Sequence, residues 1–218
     1  MRRATTTALL LTALLLGAIP AGVPARAQGV GLPWVTQPSQ ALNEARDSHR
    51  LWVMNFFSPT CPHCQAMSRD CWSSSRVAAL SDTFVFQAVE SGKVPSMYRT
   101  YEVRSYPTVI VADFTGREIV RVVGNPGGEY LITLLERLAK EGERINEIGA
   151  RLDAKRNDPY AHADLARWYG EMQMYAQALP SWSKALRYGN QSVPEEELEQ
   201  WLQAARAAEA ASEAGSKP

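Results

Sequence analysis

The chain is poor in cysteine and in histidine, with three of each among 218 residues. Three cysteines are too few for a framework of stapling disulfides. A structural zinc site takes four ligands. Beyond one close cysteine pair and the histidine between its members, the chain offers only Cys71 and the scattered His49 and His162, so no metal is expected. Neither sign of charge is in excess, with 23 Lys and Arg against 23 Asp and Glu. That balance gives no reason to expect nucleic acid as a partner. The Leu-rich run from Ala8 to Ile19 is too short to span a bilayer comfortably, and Pro20, Gly22 and Pro24 break it.

That run reads as the apolar centre of a secretory signal. Arg2 and Arg3 precede it, and Ala25-Arg26-Ala27 is a small-x-small cleavage site after it. Residues 1–27 are expected to be removed, with Gln28 as the mature start. An uncleaved membrane anchor is the competing reading. Removal takes away Arg2, Arg3 and Arg26 and no acid, leaving about three net negative charges. The expected location is a bacterial periplasm or a similar exported space, where disulfides form and persist.

The stretch from Leu51 to Cys71 organises the rest. Leu51–Phe57 is a nearly continuous apolar run and reads as a central strand covered on both faces. A tight Ser58-Pro59-Thr60 turn follows, then Cys61-Pro62-His63-Cys64 at the start of a helix expected to reach Leu80. Two cysteines two residues apart, after a strand and at a helix start, are the layout of a dithiol–disulfide redox centre. Free N–H groups and the helix dipole favour an anion there, and the thiolate is the attacking species. A purely structural disulfide is the plainer alternative.

The remaining elements follow from periodicity. Residues 28–38 read as a linker whose Trp34 can pack onto the domain. Ser39 to His49 reads as an amphipathic helix capped by Ser39, with Ala41, Leu42 and Ala45 on one face. Strands are expected at Thr83–Val89, Tyr106–Val111 and Glu118–Val123, and a short helix at Lys93–Tyr101. A long helix starts at Glu129, carries Leu131, Leu134, Leu135 and Leu138, and is prolonged through Ile145, Ile148 and Leu152.

This β-α-β-α-β-β-α order resembles the thioredoxin superfamily over roughly Leu32 to Ala150. The residues that carry the resemblance are Phe56-Phe57-x-x-x-Cys61-Pro62-His63-Cys64, Tyr106-Pro107-Thr108, and Asp113-x-x-Gly116-Arg117-Glu118 leading to Val123-Gly124. Cys-Pro-His-Cys is similar to the motif of the periplasmic disulfide-bond oxidases, but this chain has no room for their helical insertion. Its spacing looks more like the small exported thioredoxin-like proteins. The expected fold class is therefore α/β, a central mixed sheet flanked by helices, over residues 39–150.

Roles follow for the site residues. Cys61 is expected as the exposed nucleophile and Cys64, one turn inside, as the resolving thiol. Pro62 suits the first helical turn, which needs no N–H there, and with Tyr106 and Pro107 it is expected to meet substrate. His63, if cationic or hydrogen-bonded to the thiolate, would lower the Cys61 pKa and make the disulfide a better oxidant. The resemblance implies that Pro107 is a cis-proline beside the active site, leaving a backbone edge open for substrate, and that Tyr106 lines the groove. It also makes Asn55 a departure, because the family commonly buries an acid six residues before the nucleophile. Cys71, seven residues past Cys64, would lie about 10 Å along a helix axis. That is too far for a disulfide, so a buried free thiol is expected, with a redox partner on another molecule as the sharper alternative.

Asn157-Asp158-Pro159 breaks the helical pattern. Beyond it, Leu165, Ala166, Tyr169, Tyr175, Ala178, Trp182, Ala185 and Leu186 match a two-helix tetratricopeptide-type repeat over Pro159 to Ser192. Gly189-Asn190 ends its second helix, and Ser192-x-x-Glu195 reads as a capping box for a third helix from Val193 to about Ala211. This appendage is placed at residues 151–213, with a frayed tail at 214–218. Trp168, Tyr169, Tyr175, Trp182 and Trp201 are most simply its core, with a peptide groove as the sharper reading.

The sequence thus reads as an exported thiol–disulfide oxidoreductase that needs no cofactor. Its expected partners are protein thiols and disulfides, a membrane redox partner, and a protein client on the helical repeat. The rival reading is a non-catalytic thioredoxin-fold scaffold whose repeat is the working surface.

Overall fold

The computed structural model describes residues 31–190, 196, 199–204 and 206–207. The expected signal at 1–27, the capping box at Ser192 and Glu195 and the tail at 214–218 lie outside the described residues. A helix α1 (Pro38–Ser48) leads into strand β1 (Leu51–Phe57), and helix α2 (Pro62–Met67) follows. After a short α3 (Ser75–Ala78) come β2 (Phe84–Glu90), α4 (Pro95–Thr100), β3 (Thr108–Ala112) and β4 (Glu118–Val123). Four longer helices follow, α5 (Gly128–Lys140), α6 (Gly142–Ala154), α7 (Pro159–Glu171) and α8 (Tyr175–Arg187), and the described residues 199–204 and 206–207, inside the third helix expected of the appendage, are helical too. No helix among the described residues is long and apolar enough to cross a membrane.

The four strands form one mixed sheet in the order β2-β1-β3-β4, with β1 parallel to β2 and antiparallel to β3. This is the thioredoxin fold. Alternate residues of β1 serve opposite cores, as a pleated strand requires. Leu51 and Val53 join Met67, Cys71, Leu131 and Leu135 on one face. Trp52, Met54 and Phe56 join Ala41, Ala45, Val89 and Met97 on the other. The asymmetry is physical: α2, α5 and the C-terminal helices cover the first face, and α1 with α4 covers the second.

Several expectations are corrected. Helix α1 has no side-chain cap at Ser39. Its N-cap is Gln37, and Pro38 occupies the first turn, where the missing N–H costs nothing. The segment expected as a linker is part of the fold. Val35 N–H donates to the Phe86 carbonyl at 2.8 Å, and the Trp34 ring stands edge-on to Trp72 at 5.3 Å. The helix after Cys61 does not run to Leu80. It widens at Ser68–Trp72 into a π turn, closed by Ser73 N–H on the Ser68 carbonyl at 3.1 Å, and stops. Ser74 caps α3 by accepting from Arg76 N–H. The long C-terminal helix also breaks, at Glu141, so α5 and α6 turn separately over the sheet.

Helix α6 runs through the boundary expected at residue 150, and the chain turns instead between Lys155 and Asp158. Asp158 caps α7, its carboxylate accepting from Tyr160 and Ala161 N–H at 2.9 and 3.1 Å. Helices α7 and α8 form a hairpin, and Gly189 follows α8 with a φ of +100°. Trp168, Tyr169, Trp182 and Trp201 are buried and Tyr175 is half-buried, so these rings make core rather than an exposed groove. Their core is continuous with the face of the sheet that α5 covers.

Candidate active site

Chain geometry places Cys61 where β1 hands over to α2. Its N–H donates to the Ser58 carbonyl at 3.1 Å, closing the turn, and its own carbonyl accepts from Gln65 N–H at 3.1 Å, opening the helix. Cys61 is thus the N-cap residue, with extended backbone (φ −81°, ψ 118°), and Pro62 takes the first helical position. This N-cap placement leaves the Cys61 side chain half-exposed, while Cys64, inside the first turn, is only 7% exposed. Both cysteines are free thiols, as is Cys71.

The two thiols are pushed apart. The Cys61 thiol is lowered, first by a hydrogen bond from the Cys64 thiol, then by the Cys64 N–H and, opposed by desolvation, the His63 N–H. Cys64 is raised to about 11, first by burial and further by its thiol neighbour. A low-pKa exposed thiol beside a high-pKa buried one is the division of labour a nucleophile and a resolving thiol need. His63 contributes through its backbone. Its imidazole is exposed and makes no hydrogen bond or ion pair among the described residues.

From the other side of the site comes the loop before β3. The Tyr106–Pro107 peptide is cis. The Tyr106 carbonyl lies 3.9 Å from the Cys61 sulfur, within reach of a thiol donor. The Tyr106 ring is 38% exposed and stands edge-on to Tyr98 at 5.9 Å, and Tyr98 is anchored by its hydroxyl on the Val89 carbonyl at 2.9 Å. Gly124 N–H donates to the Pro107 carbonyl at 2.8 Å, tying the loop to the end of β4. Cys61, Cys64 and Tyr106–Pro107 therefore converge, and the exposed Pro62 and His63 form the rim.

Asn55 is buried and continues the face of Leu51 and Val53, on the α2 side of the sheet. Its Oδ1 has no hydrogen-bond partner. Cys71 is fully buried in the π turn, and burial raises its pKa to about 12. Sequence reasoning missed the close approach of α5 to this region. A Cβ on Gly128 would overlap the Asp70 carbonyl, so the glycine lets the start of α5 lie against the π turn. The Gly127-Gly128 pair at the start of α5 is the signal that the sequence carries for this approach.

Residues 38–139 match the family model described as a thioredoxin-like domain. The protein disulfide-isomerase A6 of Mesocricetus auratus is 28% identical over 95 residues, covering 44% of this chain and 21% of that protein. The Homo sapiens protein disulfide-isomerase A6 is 33% identical over 72 residues, covering 33% of this chain and 16% of that protein. The chain therefore spans about a fifth or less of the length of these curated relatives. Among solved structures, a thioredoxin from Thermus thermophilus is 26% identical, with a TM-score of 0.45 over 51% of this chain and 90% of its own. Helices α6, α7 and α8 lie beyond the matched residues.

Proposed function

We propose that the chain is a thiol–disulfide oxidoreductase that exchanges disulfides with protein substrates through the Cys61–Cys64 couple. The observation that carries this reading is the pairing of a half-exposed, lowered Cys61 with a buried, raised Cys64 at one helix start. In the reducing direction the Cys61 thiolate attacks a substrate sulfur, and the first substrate thiolate leaves and takes a proton. Cys64 then loses its proton and attacks the Cys61 sulfur. The Cys61–Cys64 disulfide forms, the second substrate thiolate leaves, and two electrons have passed to the substrate. The oxidising direction is the reverse. The cis Tyr106–Pro107 loop supports the reading by offering a carbonyl beside the sulfur, where an extended substrate backbone can pair.

Export is part of the proposal, on the strength of the signal pattern at 1–27. In an exported space the couple would be recycled by a membrane redox partner, and the α7–α8 hairpin would recruit a protein client. The test is turnover of insulin disulfides and of a reduced protein substrate, with Cys61→Ser as control. Activity in the native protein that vanishes in Cys61→Ser supports the reading. Turnover independent of Cys61, or none in either direction with the protein folded, overturns it. An exported protein whose intact mass retains Met1 to Ala27 overturns the processing step.

A further inference from the structure

Two tyrosines from different elements form a wall beside the nucleophile. Tyr98 lies on α4 and Tyr106 in the loop before β3, and their rings stand edge-on at 5.9 Å. Tyr98 is fixed at both ends. Its hydroxyl donates to the Val89 carbonyl of β2 at 2.9 Å, and its ring stands edge-on to the buried Phe56 of β1 at 5.2 Å. Burial, with the Tyr106 phenol adding to it, pushes the Tyr98 phenol up, so it stays a neutral donor.

The Tyr106 backbone is held separately. The Thr108 hydroxyl donates to the Ser105 carbonyl at 2.9 Å, and Gly124 N–H holds the Pro107 carbonyl. With main chain and ring both held, 38% of Tyr106 is still open. A partner that touches a ring already fixed in place loses little to further side-chain ordering.

Position decides what can touch it. The Tyr106 carbonyl lies 3.9 Å from the Cys61 sulfur. A substrate cysteine joined to Cys61 has its Cα about 5.5 Å from the Cys61 Cα, and its chain neighbours have theirs about 3.8 Å further on. A side chain flanking the substrate cysteine is therefore within reach of the Tyr106 ring. The segments that meet around the thiols, 58–62, 105–107 and 124–127, contain no Asp, Glu, Lys or Arg.

We propose that Tyr106 is a specificity-determining wall for an aromatic side chain next to the substrate's reacting cysteine, and that Tyr98 is the residue that positions it. The proposal rests on the thiol-exchange reading and names the class of substrate: a polypeptide segment in which an aromatic residue adjoins the cysteine. A substrate ring meets Tyr106 edge to face as Tyr98 does, which adds to the burial of apolar surface.

The test uses homodisulfides of short single-cysteine peptides without charged side chains, with Phe or Ser directly before or directly after the cysteine. The reduced whole chain attacks them, and the released peptide thiol gives the second-order rate constant. At one flank the Phe peptide should react about tenfold faster than its Ser counterpart. Tyr106→Ala should bring that ratio close to one, and Tyr106→Phe, which keeps the ring, should retain it. Tyr98→Phe, which loses only the hydroxyl anchor, should lower the ratio in part, and Tyr98→Ala should lower it as far as Tyr106→Ala does. The ratio is taken within each variant, so a loss of folded protein lowers both rates alike and leaves it unmoved. Equal native rates at both flanks, above a Cys61→Ser control, or a ratio that survives in Tyr106→Ala, overturn the aromatic wall and leave the exchange reading standing. A ratio unchanged in Tyr98→Ala overturns the positioning role. No native reaction above the Cys61→Ser control overturns the exchange reading and the wall with it.

Discussion

The Tyr169 hydroxyl, on α7, donates to the Ile119 carbonyl on the edge strand β4 at 2.9 Å, and both residues are buried. This bond joins the helical hairpin to the sheet across fifty residues of sequence. Arg144 on α6 also forks onto Glu171 at the end of α7, and Leu138, Ile145, Trp168 and Trp182 share one core. The hairpin therefore covers apolar surface of the sheet domain.

Removing residues 159–218 should consequently destabilise the thioredoxin-like domain. Each large apolar side chain uncovered costs about 1.5–3 kcal/mol, and several are uncovered here. The milder Tyr169→Phe removes one hydrogen bond and should cost about 1 kcal/mol. Denaturant unfolding of the two variants against the native chain measures both. A truncated domain as stable as the whole would mean that the shared core contributes little.

Much of this fold was legible because local signals agreed. The apolar run gives β1 its bounds at Leu51 and Phe57, and the turn residues between Phe57 and Cys61 place the cysteines at a helix start. The π turn at Ser68–Trp72 was not legible. Its residues have ordinary helical propensity, and only the burial of Cys71 and Trp72 against the sheet reveals the extra residue. The Tyr169–Ile119 bond escaped for a related reason. A tyrosine at helical spacing reads as core, and nothing in the spacing says which strand its hydroxyl meets. Sequence logic assigned the tuning of Cys61 to the helix-start N–H groups together with the His63 ring; the Cys64 thiol and the Cys64 and His63 N–H groups lower it, and the ring makes no hydrogen bond to it.

That difference can be measured on the Cys61 thiolate. Cys64→Ala removes the donor that lowers Cys61 most and should raise the Cys61 pKa, whereas Cys64→Ser keeps a hydroxyl donor and should raise it less. His63→Ala keeps the backbone N–H and should change it least. Thiolate absorbance against pH gives all three. A larger rise in His63→Ala than in Cys64→Ala would restore the ring as the controlling group.

Cys71 links burial to alkaline stability. Its thiol is raised from an ordinary 9.0 to about 12 by burial, so between those values the folded chain holds a proton that the unfolded chain has lost. Stability contributed by the neutral thiol is full below pH 9 and falls as pH rises, by about 1.4 kcal/mol per unit at most. Tyr101, raised to about 12 by burial, acts with the same sign. Cys71→Ala should flatten part of the decline in unfolding free energy between pH 9 and 11, at the cost of a small cavity. Alkylation of Cys71 at pH 8 without denaturant would contradict its burial.

The last prediction concerns the step that releases substrate. Cys64 must lose its proton before it attacks the mixed disulfide, and it sits at about 11, chiefly through burial. Burial persists when Cys61 is tied to substrate, although the effect of the neighbouring Cys61 thiol is then gone. At pH 7 only a small fraction of molecules would then have Cys64 ionised. No acid supports that ionisation from Asn55, which is a neutral amide with an unpartnered Oδ1 on the α2 side of the sheet. Resolution should therefore be slow at neutral pH and should quicken about tenfold per pH unit between 6 and 9. Acid-quenched single turnovers with a disulfide peptide would follow the mixed disulfide directly. Asn55→Asp supplies an acid at this buried position that can accept the proton, and should speed resolution at pH 7 by about tenfold or more while flattening the profile. It should also lower stability, because a carboxylate buried there is costly. A native rate that does not vary with pH, or an Asn55→Asp variant that folds yet resolves no faster, would mean that another group already takes the Cys64 proton.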